Sequence, residues 1–231
     1  MKHRYRATLM SLFILSAFGL SAQSLQIGLK VGLNASSLQL QDPSIPNNRT
    51  KLGLNLGATA TYYLWSNLFL QSGLSLTSKG MHLTDNSSLV FGDQLLLPGS
   101  EASLISRQWY LQAPLYLGYA IPLRPTTKLI FNAGPYLAYG LFGKIQLTGD
   151  IIYGDMIEYS TWKEPTFGER GLQRVDVGLG MGVGLEVGRA TIGITYELGL
   201  RDISPTQAAY IPFYAGSYKN RLVSLSIQHR L

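Results

Sequence analysis

The 231-residue sequence contains no cysteine, and only 14% of its residues are charged. Without cysteine the chain cannot form a disulfide, a thiolate zinc site or a lipid-modified cysteine at a mature N-terminus. In soluble domains about a quarter of all residues are charged. This chain therefore lacks the charged residues that normally cover a water-exposed surface. Contact with lipid would account for the shortage. Glycine (25 residues) and tyrosine (14 residues) are abundant instead.

A basic N-terminus followed by an apolar run predicts a secretory signal peptide. Lys2, Arg4 and Arg6 precede the apolar run 7–20, and small residues follow up to Ala22. The run is shorter than the roughly 20 residues that a transmembrane helix needs, and no later stretch is as long as a membrane span. We therefore predict a cleaved signal peptide over 1–22 and one exported domain over 23–231, located in the bacterial outer membrane. An uncleaved anchor is the alternative.

The excess of basic over acidic residues does not indicate that the chain binds nucleic acid. The formal net charge is +6, and it falls by three when the three lysine and arginine residues of the signal segment are removed. No basic helix or aromatic-basic binding module accompanies the remaining charge. We predict no nucleic-acid partner.

The mature chain shows strict period-two alternation of apolar and polar residues, which is typical of strands with two different faces. Eight such segments lie at 25–33, 51–64, 68–79, 111–119, 131–141, 174–187, 192–201 and 223–228. Three short connections, at 65–67, 121–127 and 188–190, alternate with four long polar ones, at 35–50, 82–105, 145–172 and 202–218. The sequence therefore predicts an all-β fold, an eight-stranded antiparallel up-and-down transmembrane barrel with short periplasmic turns and long extracellular loops.

The apolar face of each segment is predicted to face lipid. The other face consists largely of glycine and small polar residues, and glycine in an exposed strand face packs poorly, whereas inside a narrow barrel it leaves room for larger side chains. A single charge on the lipid face would cost roughly 2–4 kcal/mol at the bilayer midplane, and none occurs at the strand centres. Pro114 and Pro135 lie within predicted strands, where we expect bulges or unpaired carbonyls.

Several segments resemble the PorT-like outer-membrane β-barrel family. The matching stretches are 78–80 (SKG), 110–115 (YLQAPL), 132–136 (NAGPY), 176–180 (DVGLG) and 196–201 (YELGLR). The resemblance covers most of the mature chain and implies an eight-stranded outer-membrane barrel. It also implies a link to secretion or gliding machinery, which is the role of the family's named members.

Seven charged residues are predicted to point into the lumen: Lys30, Lys79, Arg174, Asp176, Glu186, Glu197 and Arg201. Eight strands enclose a space that side chains can fill, so a diffusion pore is not expected. Buried charges are tolerated when they are paired and hydrogen-bonded. We interpret the set as a salt-bridge plug; a proton or ion relay and a small polar ligand site are the alternatives.

A second set of basic residues is predicted at the extracellular strand ends: Arg49, Lys51, Arg107, Lys144, Arg170, Lys219 and Arg221. Arginine binds phosphate oxygens in a bidentate manner. We expect this rim to contact outer-membrane lipids and lipopolysaccharide, although ordinary charge at loop bases would give the same pattern.

No catalytic, cofactor or metal site is predicted. His82 lies close to Asp85, Ser87 and Ser88, which would suit a lipid A-modifying enzyme, but these residues are also common in loops. The alternate glycines of 178–184 lie within a strand and lack the spacing of a phosphate loop. Asp150, Asp155 and Glu158 lack the ordered spacing of a calcium loop.

The leading hypothesis is a non-enzymatic outer-membrane barrel with a structural or interaction role in the cell envelope. Its partners would be lipopolysaccharide or proteins of a secretion or envelope assembly. A lipid A-modifying enzyme and a narrow small-solute transporter are the alternatives. The geometry at the outer rim and the openness of the lumen discriminate among the three.

Overall fold

The computed structural model describes residues 25–40, 48–85, 90–91, 94–95, 102–153, 156–168, 171–205 and 218–231. These residues contain twelve strands and no helix. The strands are β1 (Leu25–Leu40), β2 (Asn48–Arg49), β3 (Lys51–Tyr63), β4 (Leu68–Asp85), β5 (Val90–Phe91), β6 (Gln94–Leu95), β7 (Ala102–Arg124), β8 (Thr127–Tyr153), β9 (Met156–Pro165), β10 (Val175–Val187), β11 (Ala190–Gly199) and β12 (Tyr218–Arg230). The predicted signal peptide, 1–22, lies outside the described residues.

Eight of these strands form a closed antiparallel ring. The order is β1, β3, β4, β7, β8, β10, β11 and β12, and β12 pairs back onto β1 from Gly28↔Arg230 to Leu40↔Tyr218. Closure matters because a lipid bilayer offers no water to an unpaired backbone group, so an open sheet edge is not tolerated there. The predicted eight-stranded up-and-down barrel is confirmed.

Tight turns join the strands at one end of the ring. β3 and β4, β7 and β8, and β10 and β11 are joined by two to four residues each. In the last of these turns Gly188 has a φ of 62°, a left-handed conformation that glycine adopts without steric cost. Short turns mark the periplasmic end of such barrels, so the opposite end is extracellular.

The outer wall is apolar, as the alternation predicts. Outward leucine and methionine side chains are largely exposed, with exposed fractions of 61% for Leu33, 79% for Leu52 and 60% for Met181. Trp65 and Tyr119 lie exposed near the short turns, and Phe142 lies exposed towards the extracellular end. Aromatic residues at these two levels are typical of the interfaces between bilayer and water. The described part of the chain holds no helix long and apolar enough to span a membrane.

Three predicted loops are partly strand. β7 has 23 residues and β8 has 27, whereas a tilted strand crosses a bilayer in about 9–11. β8 continues past residue 145 and turns back as β9, so the predicted loop 145–172 begins with a hairpin that projects from the ring. The predicted loops 35–50 and 82–105 likewise begin or end as strand. The alternation in 144–148 (KIQLT) continues the strand, because Ile145 and Leu147 are buried and point inward.

An apolar core fills the extracellular end of the barrel. Tyr110 contacts Phe167 edge to face, with ring centroids 5.4 Å apart. We call the whole buried group the extracellular core: Leu38, Met81, Leu104, Tyr110, Tyr136, Ala138, Ile145, Leu147, Phe167, Leu172, Ile203 and Tyr218. Phe167, Leu172 and Ile203 belong to connecting segments that fold inward over the strands. Apolar side chains therefore close the lumen on the extracellular side.

The two strand prolines do not produce the expected bulges. Around Pro114 the pairing of β4 with β7 keeps one register on both sides, and around Pro135 the pairing of β7 with β8 does the same. The register shifts between β7 and β8 lie elsewhere, at Trp109/Tyr110 and at Pro122/Arg124. The Pro114 carbonyl accepts a hydrogen bond from the Ser72 hydroxyl at 2.9 Å. A side-chain donor thus serves the carbonyl where the ladder is interrupted, and no extra residue is needed.

Candidate functional site

Three charged side chains meet inside the barrel, towards the extracellular ends of β10 and β11. The Lys79 ammonium lies 3.1 Å from Asp176 Oδ2 and 3.5 Å from Glu197 Oε2. The Lys79 and Asp176 side chains are fully buried, and Glu197 is nearly so. We call these residues the central ion cluster. Because Lys79 belongs to β4, Asp176 to β10 and Glu197 to β11, the cluster joins opposite walls of the barrel.

Polar partners from three further strands hold the two carboxylates. Asn220 of β12 donates to Asp176 Oδ2 at 2.8 Å, and the Tyr136 hydroxyl of β8 donates to the same atom at 3.3 Å. Gln112 of β7 donates to Glu197 Oε1 at 2.7 Å. The Lys79 ammonium also lies 4.3 Å from the centre of the Tyr136 ring, a cation–π distance. Six of the eight barrel strands therefore contribute to one buried polar network, and the network fills the lumen next to the extracellular core.

A separate ion pair lies at the periplasmic end. Glu186 Oε1 is 3.4 Å from the Lys128 ammonium and 3.7 Å from the Arg230 guanidinium. Between this pair and the central ion cluster lies a polar cavity of about 70 Å³, and Lys30, Gln71 and Asn132 are among the residues that line it. One water needs roughly 10–15 Å³ of such space, so the cavity has room for several water molecules.

The seven predicted lumen charges are thus distributed over several places. Lys79, Asp176 and Glu197 meet, Glu186 pairs near the periplasmic end, and Lys30 lines the cavity between them. Arg174, which we predicted for the lumen network, instead donates to the carbonyls of Gly140 and Leu141 at 2.7 and 2.9 Å. Arg201 is exposed and donates to Gln173. Arg174 lies just before β10 begins, and Arg201 lies just after β11 has ended. Both arginines are therefore beyond the part of the ring that encloses the lumen.

The predicted basic rim does not form one continuous belt among the described residues. Arg107 of β7 and Lys144 of β8 are register partners, and both are exposed on the outer wall. Lys51 and Arg107 line the same surface depression. Lys219 and Arg221 lie on β12, on the opposite side of the ring from β7. Arg49 is exposed in β2, and Arg170 lies outside the described residues.

His82 contacts a hydroxyl group on a neighbouring strand. Its Nε2 lies 3.0 Å from the hydroxyl of Ser103 on the adjacent strand β7. Ser87 and Ser88 lie outside the described residues, as do the side chains of Thr84 and Asp85. The other histidine within 23–231, His229, is exposed at the periplasmic end of β12.

Within the described ranges no three histidine, aspartate or glutamate side chains are grouped so that they could hold a metal ion. The side chains of Asp150, Asp155 and Glu158, considered above for calcium, lie outside those ranges.

Sequence patterns missed several members of these groups. Ser103 and Phe167 fell within predicted loops. The alternation of 144–148 (KIQLT) could have extended β8, and Ser103 is the register partner of Thr148 on that extension. Lys128 and Arg230 lay just outside the predicted turn 121–127 and the predicted strand 223–228. Their pairing with Glu186 depends on how β8, β10 and β12 lie around the ring. Tyr110 and Tyr136 occupy positions that the alternation assigns to the lumen face. Because both side chains are uncharged, the predicted set of lumen charges did not include them.

The family model described as "Outer membrane protein beta-barrel domain" matches residues 21–204. The chain belongs to this family. It is therefore an outer-membrane β-barrel protein, in agreement with the closed ring and its apolar outer wall. No curated protein matches the sequence significantly.

Solved structures that are similar to this outer-membrane barrel share little sequence identity with it. Neisserial surface protein A is 10% identical, with a TM-score of 0.38, over 89% of this chain and 97% of that one. The attachment invasion locus protein Ail of Yersinia pestis is 12% identical, with a TM-score of 0.36, over 90% and 99%. The N-terminal barrel domain of OprF from Pseudomonas aeruginosa is 10% identical, with a TM-score of 0.32, over 87% and 97%.

Replacing Lys79 by methionine should strongly destabilise the barrel. The change leaves Asp176 and Glu197 buried without their cation, and breaking a buried ion pair from one side costs about 3–5 kcal/mol. Urea unfolding of the full chain, refolded into lipid vesicles, measures this loss.

The matched control is Lys128→Met, which removes the same type of cation from a partly exposed pair. Pairs of that kind contribute about 0–1 kcal/mol. Equal unfolding midpoints for the two variants would show that the central ion cluster does not stabilise the fold.

Proposed function

We propose that this protein is a sealed, non-enzymatic outer-membrane barrel that acts through its extracellular end and outer wall. Its role would be structural or interactive within the envelope, in a secretion-linked assembly of the type associated with PorT-like barrels. A cleaved signal peptide over 1–22 would export it. The observation that carries the proposal is the closure of the lumen by the central ion cluster and the extracellular core.

Closure at two levels argues against the transporter alternative. A solute entering from outside would first have to displace the packed side chains around Tyr110 and Phe167. It would then have to separate Lys79 from Asp176 and Glu197, each of which would be left as a buried unpaired charge. The cavity on the periplasmic side therefore ends at this closed part of the lumen.

The long β7, β8 and β9 strands support an interaction role. They carry the sheet beyond the membrane-spanning ring, so a stiff hairpin projects from the cell surface side. Its outer face is polar or charged at Lys144, Gln146 and Lys163, which suits contact with polar partners. Paired strands lose less conformational freedom on binding than an unstructured segment of the same length, so β8 and β9 would bind with a lower ordering cost.

Purified full-length protein should add no ion conductance to planar lipid bilayers, because the lumen contains no continuous water path at the level of Lys79. A 16-stranded porin inserted into the same bilayers provides the positive control, since barrels of that size hold an aqueous channel. Reproducible discrete conductance steps from the wild-type chain would overturn the sealed-barrel proposal and favour the transporter.

Affinity isolation from native outer membranes in mild detergent should recover a protein partner in stoichiometric amount. The tag would be inserted after Asn86, in the long connection between β4 and β7. An untagged strain and a strain with a tagged unrelated barrel control for carry-over. Recovery of the barrel with lipopolysaccharide and no protein would contradict membership in an assembly.

A lipid-directed hydrolase is the second candidate function, and the contact between His82 Nε2 and the Ser103 hydroxyl is the observation that favours it. Histidine can activate a serine hydroxyl for attack on an acyl ester, and both residues lie at the extracellular end, where lipid A is found. The usual arrangement also has a third group that orients the histidine, and no carboxylate lies within 4.0 Å of His82 among the described residues.

Mass spectra of lipid A from cells that overproduce the wild-type protein should match those from cells that produce Ser103→Ala or His82→Ala. Identical spectra are expected for a non-enzymatic barrel. If the wild type removed an acyl chain and both variants failed to do so, the hydrolase would replace the leading proposal.

A further inference from the structure

Four cations gather on one side of the outer wall without a counter-charge. Arg107 and Lys144 are direct register partners on β7 and β8, and both are exposed. Lys163 of β9 is the register partner of Gln146, the next outward residue on β8. On the side of Arg107 that faces away from Lys144 there is a surface depression, which Lys51 and Arg107 both line. None of the four takes part in a salt bridge within the described part of the chain.

Like charges placed directly opposite each other on neighbouring strands are destabilising. The pairing of Arg107 with Lys144 is therefore unfavourable unless an anion lies between or above them. The lumen shows the contrasting arrangement, since Lys79, Lys128 and Arg230 each have a carboxylate within 4.0 Å. The charge pattern of the outer wall thus indicates an external anionic ligand.

An aromatic pair lies immediately on the membrane side of these cations. Trp109 and Phe142 are register partners on β7 and β8, and their ring centroids are 6.1 Å apart. On each strand they are the next outward-facing residues after Arg107 and Lys144 in the direction of the membrane. The next outward pair towards the membrane is Leu111 and Tyr139, both exposed. Along this wall the surface therefore changes from apolar to aromatic to cationic towards the outside, the order expected where acyl chains give way to headgroups.

Two surface depressions flank the aromatic and cationic column. One, of about 480 Å³, is lined by residues that include Lys51, Leu52, Leu54, Arg107 and Trp109. The other, of about 360 Å³, is lined by residues that include Arg107, Trp109, Phe142, Lys144 and Lys163. Each combines cations with exposed apolar or aromatic surface, and Arg107 and Trp109 belong to both.

We propose that Lys51, Arg107, Lys144 and Lys163, together with Trp109 and Phe142, form a binding site for a phosphorylated glycolipid of the outer leaflet, the lipid A part of lipopolysaccharide. We call these six residues the rim patch. The guanidinium and ammonium groups bind the phosphates, since Arg–phosphate contacts are charge-assisted and bidentate. The acyl chains lie against the aromatic pair and the leucines below it. A soluble anion would make no use of that apolar lower part.

This inference deepens the proposed interaction role, but its test is independent of any protein partner. The probes are bisphosphorylated lipid A and the same lipid after enzymatic removal of its phosphates. Both are titrated into the full-length barrel in a zwitterionic detergent, and native mass spectrometry counts the bound lipid. The variants are Arg107→Ala/Lys144→Ala and a matched control, Lys219→Ala/Arg221→Ala, which removes two cations from β12 across the ring.

The rim-patch double variant should bind bisphosphorylated lipid A at least about tenfold more weakly than the wild type, because it loses two charge-assisted contacts. The β12 control should bind like the wild type, and the dephosphorylated lipid should bind weakly to all three proteins. Equal binding by the rim-patch variant and the wild type, or equal binding of the two lipids, would overturn the proposal.

Stability provides a second readout that a general loss of folding would not reproduce. In vesicles of phosphatidylcholine alone, neutralising Arg107 and Lys144 relieves their repulsion, so the urea midpoint should be equal to or higher than that of the wild type. In vesicles that contain lipid A, the wild type should be the more stable protein, because a ligand that binds only the folded state stabilises it. A rim-patch variant less stable than the wild type in both vesicles would assign these residues to the fold and contradict the lipid site.

Discussion

Backbone hydrogen bonding in a medium without water is the constraint on which the rest of this structure depends. Each strand in the hydrocarbon region needs two neighbours, because a lone amide or carbonyl has no other partner there. The pairing of β12 with β1 supplies the last neighbour and closes the ring. Once the ring has eight strands, its diameter is set, and the space inside it is limited to what side chains can fill. The glycines of β10 follow from that limit: a Cβ at Gly180 would lie against the Tyr116 hydroxyl.

The narrow lumen makes its charges depend on one another. Lys79 lies 97 residues before Asp176, whereas Asp176 and Glu197 belong to the consecutive strands β10 and β11, and each charge would be costly alone. Amide and hydroxyl donors from β7, β8 and β12 share the two carboxylates. The cluster therefore specifies how opposite walls approach each other, and it gives the ring one preferred arrangement. The extracellular core has the same effect at the next level through packing in place of charge.

The sequence predicted the fold well because the controlling signals are local. Period-two alternation assigns each residue to the lipid or the lumen face, so Lys79, Asp176 and Glu197 could be placed inside without knowing their partners. The height of a residue along the barrel axis is not local information, because it depends on the stagger between strands. The alternation assigns Arg174 and Arg201 to the lumen face, but both lie beyond the extracellular end of the enclosed lumen. Alternation could not predict their contacts, which are with Gly140, Leu141 and Gln173. Length mattered as well: β8 continues to Tyr153, and the segment predicted as polar loop buries Ile145 and Leu147.

Charge is used in opposite ways on the two sides of the same wall. Inside the barrel, Lys79 has two carboxylates of the same chain within 4.0 Å, so this buried cation is paired without a ligand. On the outer wall of β7 and β8, Arg107 faces Lys144, and the chain supplies no carboxylate to them among the described residues. The adjacent like charges on this surface therefore lack a counter-charge that the fully buried Lys79 has. The membrane that surrounds this barrel contains phosphorylated amphiphiles at that level, so the missing counter-charge and the missing apolar contact can come from one molecule.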